Sequence, residues 1–126
     1  MTSLISIAVG GALGALARYG TDKLFSLFIG QNYWGTMAAN LVGSFLLGII
    51  VAGLINKTST PQHIGLFLTV GFCGSFTTFS TLAVSSITML EKGDHLNLIV
   101  NLIGSVTIGL CAAAGGIWIG KSILNS

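Results

Sequence analysis

Four long apolar runs, at about residues 4–28, 35–55, 63–90 and 96–119, are separated by short polar stretches. Each has roughly the 20-residue length that a helix needs to cross a bilayer. The pattern predicts an all-α membrane protein, with four transmembrane helices in a single domain over 1–126. The first run is strictly apolar only over Leu4–Ala17. Arg18, Asp22 and Lys23 punctuate its second half, which is expected to rise into the interface. Gly30–Trp34 predicts a turn with Tyr33 and Trp34 as interfacial aromatics. Asn56–Gln62 and Glu91–His95 predict polar turns.

The third run is different. Gly71–Thr81 holds Gly71, Gly74 and the hydroxyls of Ser75, Thr77, Thr78, Ser80 and Thr81 inside an otherwise apolar span. Glycine weakens a helix, and neighbouring hydroxyls compete for its backbone groups. In lipid, freed backbone survives only where protein or an aqueous cavity covers it. The third helix is therefore expected to break at membrane depth and to face inward. Such breaks offer N–H groups to anions and carbonyl oxygens to cations.

Small residues recur at helical spacing: Gly10 and Gly14; Ser44, Gly48 and Ala52; Ser105, Gly109 and Ala113. Such stripes let helices approach closely in lipid. Four helices alone enclose a polar pathway poorly, so an oligomer is expected, most simply a dimer. Composition agrees with a membrane chain: 52% of residues are hydrophobic and 6% charged, against about a quarter charged in soluble domains. Alternating spans place Arg18, Lys23 and Lys92 on one face and Lys57 and Lys121 on the other. This near balance gives little positive-inside bias, so copies are expected to insert both ways and pair antiparallel. The scattered cations, without a basic run, argue against nucleic acid as a partner.

Candidate chemistry is sparse. The carboxylates Asp22, Glu91 and Asp94 and the histidines His63 and His95 lie at span ends or turns, and no acid–base enzyme is expected. Cys73 and Cys111 read as small buried hydrophobes. Leu4–Ala17 ends in Ala15-Leu16-Ala17 like a leader, but no Lys or Arg precedes it, so cleavage is not expected. What lies within the spans is neutral and polar. Asn40 must face protein or water, either joining helices or lining a path. Asn101 and Ser105, four apart, pose the same choice. Phe76 and Phe79 flank the hydroxyls of the break, and a ring edge carries partial positive charge that can face an anion.

These residues carry a resemblance. Gly10-Gly11-x-x-Gly14-Ala15-x-x-Arg18-Tyr19, Gly35-Thr36-x-x-x-Asn40-x-x-Gly43-Ser44-Phe45 and the whole of Gly71–Thr81 are similar to motifs of the Fluc (CrcB) fluoride channels. The resemblance implies a fluoride-selective passive channel of the prokaryotic plasma membrane, built as an antiparallel dual-topology dimer among membrane lipids. It implies a pathway through Asn40, Phe79, Ser80 and Thr81. Phe76 and Ser105 join them from the residue reading. Arg18 would draw anions to the mouth. The carbonyls of Gly74 and Thr77 would hold a structural Na+ at the dimer interface. Three positions depart from the family pattern: Leu82 replaces a second phenylalanine, Ser85 a common glutamate, and Asn101 a tyrosine. A non-conducting half of a heterodimer with a paralogue is therefore one alternative. A small four-span multidrug exporter is another, but it would want an embedded glutamate. An anchor subunit would leave the break and Asn40 without purpose.

Overall fold

Apolar runs of this length fold as helices because lipid forces backbone groups to pair within the segment. The computed structural model describes residues 1–30, 33–56 and 59–123. Gln31, Asn32, Lys57 and Thr58, which fall in two expected turns, lie outside the described residues. The helices are α1 (Thr2–Ile29), α2 (Tyr33–Ile55), α3 (62–76), α4 (Phe79–Glu91) and α5 (His95–Ile123), with no strand among the described residues. α3 and α4 follow one another within Gln62–Glu91, giving four segments long and apolar enough to cross a membrane.

Local chemistry sets the helix ends. α1 stops at Gly30, whose φ of 76° is left-handed and whose N–H reaches Ser26 O, the glycine-terminated stop that a Cβ disfavours. α5 starts where the Asp94 carboxylate accepts the Asn97 N–H at 3.3 Å, a side-chain cap. Three stretches, Ile50–Ile55, Phe67–Cys73 and Val100–Gly104, widen to π-type turns. Asn56 N–H, for example, bonds Val51 O at 3.1 Å.

Glycine contacts hold the helices together. A Cβ on Gly10 would strike the Phe67 carbonyl, and one on Gly14 the Phe72 carbonyl, so α1 lies directly on the α3 backbone. Gly71 answers from α3: its Cβ would sit 3.0 Å from the Gly10 Cα. Gly71 and Gly74 are thus helical, and they do not unwind the segment. Gly71 is kept small by this helix crossing. α2 meets α5 in the same way, through Gly48 against Ala113 O, Gly116 against the Phe45 carbonyl, and Gly53 against Gly120. The expected third stripe keeps Ala113, which meets Gly48, but extends towards the C-terminus instead of back to Gly109. Gly109 has nothing within 4 Å, and the close approach on α5 uses Gly116 and Gly120.

Two further expectations change. Tyr33, expected as an interfacial aromatic, is buried, and its hydroxyl donates to Asn97 Oδ1 at 2.6 Å, tying α2 to α5. Cys73 is buried but Cys111 is exposed. Large apolar side chains such as Leu16, Phe28, Leu110 and Trp118 cover the outside, as a lipid-facing surface requires.

Candidate functional site: a clamped helix break

The helical path stops at Thr77 and Thr78. Their dihedrals are extended (φ −84°, ψ 155° and φ −150°, ψ 119°), and α4 begins at Phe79. The interruption is thus two residues wide and falls on the threonines, C-terminal to both glycines.

Asn40 of α2 substitutes for the lost helix partners. Its Oδ1 accepts the Thr78 N–H at 2.7 Å, and its Nδ2 donates to the Thr78 carbonyl at 3.1 Å. Both backbone groups of Thr78 are therefore paired, while the amide keeps one N–H to spare. One turn along α2, Gly43 makes room: a Cβ there would collide with the Thr77 methyl and come within 3.2 Å of the Phe76 ring. The Thr77 hydroxyl bonds back to Cys73 O at 2.9 Å and so closes α3.

Thr78 then opens α4. Its Oγ1 accepts the Thr81 N–H at 3.3 Å, donates to Thr81 Oγ1 at 3.2 Å and lies 3.3 Å from Ser80 Oγ. This pairing diverts two donors. In an unbroken helix Thr78 N–H would serve the Gly74 carbonyl, and Thr81 N–H the Thr77 carbonyl. Asn40 and the Thr78 side chain hold those N–H groups instead, so both carbonyls lose their helical donors.

The structure therefore gathers Asn40, Thr77, Thr78, Ser80 and Thr81 at one point. Phe79 stands beside them, 79% exposed, while Phe76 is 7% exposed and stacks on Phe72 in the core. The two rings do not share a face. Ser105 belongs to a second cluster around Asn101, which is fully buried. Asn101 Nδ2 donates to Ser85 Oγ (3.0 Å) and Ser86 Oγ (3.2 Å), and both serines give their protons to Leu82 O (3.1 and 2.7 Å). Asn101 Oδ1 and Ser105 Oγ are buried without a hydrogen-bond partner among the described residues.

Three cavities open along α4. One of about 440 Å³ is lined by Tyr33, Ser85, Thr88, Lys92, Asp94 and Asn97. The next, of about 340 Å³, runs along Ser80, Thr81, Val84 and Ser85. A third, of about 310 Å³, joins Thr81 and Thr36 to Tyr19, Asp22, Lys23 and Ser26. Ser85 and Thr81 are the shared walls. Arg18, half-buried, lies one turn before Asp22 on α1.

The profile of the family described as "CrcB-like protein, Camphor Resistance (CrcB)" matches residues 5–117. The chain belongs to the CrcB family. Similar proteins include the "Fluoride-specific ion channel FluC" of Nitrobacter winogradskyi, 37% identical over 97% of this chain and 98% of that protein. Another is that of Geobacter sulfurreducens, 36% identical over 98% of this chain and 100% of its own. A third, from Hydrogenovibrio crunogenus, is 38% identical over 97% and 93%. Family and helices together make this a multi-pass membrane protein.

Ser85 and Asn101, expected as departures from the family pattern, are hydrogen-bonded to each other. Leu82 is buried, 5% exposed, and its carbonyl anchors the same serines. Ser86 of this network and the separate Tyr33–Asn97 bond were not singled out in the sequence. The four-residue spacing of Asn97, Asn101 and Ser105 along one helix face was the signal that could have found it.

Proposed function

We propose that this chain forms a passive, fluoride-selective channel that lets cytoplasmic fluoride leave across the plasma membrane. The observation that carries the reading is the break clamped by Asn40, with hydroxyls and the first N–H groups of α4 presented beside it. Its setting in a membrane-length segment and the fluoride-channel names of the relatives support it. Fluoride is small and strongly hydrated, so a selective path must replace its water with dense donors. The spare Asn40 amide N–H, the Ser80 and Thr81 hydroxyls and the Phe79 ring edge supply these without a fixed charge in the narrow part. Arg18 raises the anion concentration at the mouth. A pore needs no catalytic group, and flow follows the fluoride gradient.

The break lies at membrane depth and is covered by a second, antiparallel copy. Phe79, Ser80 and Thr81 are exposed on a single chain, and polar groups left in lipid are costly. The carbonyls of Gly74 and Thr77 hold a sodium ion between the copies. A hetero-pair with a paralogue is the second reading, favoured by Leu82 where the family pattern has an aromatic ring.

Purified protein in liposomes loaded with fluoride tests the proposal. Wild type is expected to release fluoride, and Asn40→Asp, which puts a negative charge at the clamp, is expected to stop it. Equal release from both sinks the proposed path.

A further inference from the structure

Asp22 is a half-buried carboxylate that the proposed pore does not use. It sits where α1 crosses α2 at Gly35. A Cβ on Gly35 would lie 2.7 Å from Asp22 Oδ1 and 2.8 Å from its Cα, so only glycine admits the carboxylate there. Asp22 Oδ1 is buried with no hydrogen-bond partner among the described residues, and Arg18 stands one turn earlier on the same helix. Its charge is therefore held in place and only partly compensated, and an undercompensated charge in a low-dielectric site acts strongly on its surroundings. The same cavity reaches Thr81.

We infer that Asp22 is a brake on anion access: a carboxylate fixed in the mouth that leads to Thr81, where it offsets the attraction of Arg18 for incoming anions. This rests on the fluoride-channel reading. The charged and titratable groups near Asp22 come from α1, as Arg18, Tyr19 and Lys23, and Lys23 Nζ lies 5.5 Å over the Tyr19 ring. α2 contributes no charge, and its Tyr33 gives its hydroxyl proton to Asn97. The only ionisable residue of α4, Glu91, is at the far end of that helix from Thr81. Asp22 is thus the one negative charge lining this cavity. Negative charge in a confined mouth lowers local anion concentration and on-rate, as positive charge raises them.

The test is fluoride efflux from liposomes, wild type against D22N, across the pH range from neutral to mildly acid, corrected for leak through protein-free liposomes. Asparagine keeps the shape while removing the charge. The expected result is efflux about three- to tenfold faster in D22N at neutral pH, from one unit charge several ångströms from the path. Wild-type efflux should also climb towards the D22N rate as acid protonates Asp22, with the D22N rate flat. A purely structural Asp22 would give no such pH difference. D22E, which keeps the charge, should retain the wild-type pH profile, guarding against a folding artefact. Equal rates and equal pH profiles for wild type and D22N overturn the brake alone. If no variant passes fluoride, both the channel reading and the brake fall.

Discussion

At the scale of single residues, two amides within the helices, half-buried Asn40 and fully buried Asn101, do different work. Asn40 completes the pairing of a backbone that has left its helix, and both of its functional ends are engaged by Thr78. Asn101 donates to two serines whose own protons are already placed on Leu82 O, and its oxygen has no partner among the described residues. The distinction predicts unequal costs. Asn40→Leu strands the Thr78 N–H and carbonyl, and each buried orphan costs about 1–3 kcal/mol. Asn101→Leu removes an orphaned oxygen and leaves both serine protons bonded, so its cost should stay within about 1 kcal/mol. Denaturant unfolding in detergent measures both. An Asn101→Leu loss as large as that of Asn40→Leu would contradict this division of roles. The need to bury Asn40 against protein or water was legible in the sequence; its partner, Thr78, was not, because hydropathy carries no pairing information between distant segments.

At the scale of elements, helix number and extent follow from apolar length, and the ends of α1 to α5 lie close to the expected spans. The position of the break was harder to read. Glycine lowers helix propensity, but tertiary packing overrides propensity, and Gly71 is small because Gly10 approaches it. What ends α3 is a set of bonds to the threonines: Thr77 back to Cys73, and Thr78 to Asn40 and Thr81. Close packing also separates glycines that composition cannot tell apart. Gly116→Ala would drive a methyl into the Phe45 carbonyl, whereas Gly20→Ala meets nothing within 4 Å. Overpacking against backbone costs about 1–3 kcal/mol, so Gly116→Ala should lower the melting temperature in detergent. Gly20→Ala should leave it unchanged or raise it, since alanine favours the helix by up to about 1 kcal/mol. Equal shifts would show that α2 and α5 do not meet as described.

At the scale of the whole molecule, one chain leaves polar and aromatic groups uncovered at its centre of interest. Phe79 is 79% exposed beside exposed Ser80 and Thr81, and the cavities along α4 open on this side of the chain. An antiparallel second copy resolves this in the proposed channel, and the near balance of Lys and Arg between faces permits both insertions. The inward turn of Phe76 and the outward turn of Phe79 were not legible in the sequence, because both rings lie in one apolar, hydroxyl-rich stretch. In the proposed channel the clamped break lies on a path that strips and passes fluoride. The most direct measurement is paired efflux of fluoride and chloride from liposomes holding the wild-type protein. Rapid fluoride release with chloride retained is expected; equal passage of the two ions, or retention of both, would rule the proposed path out.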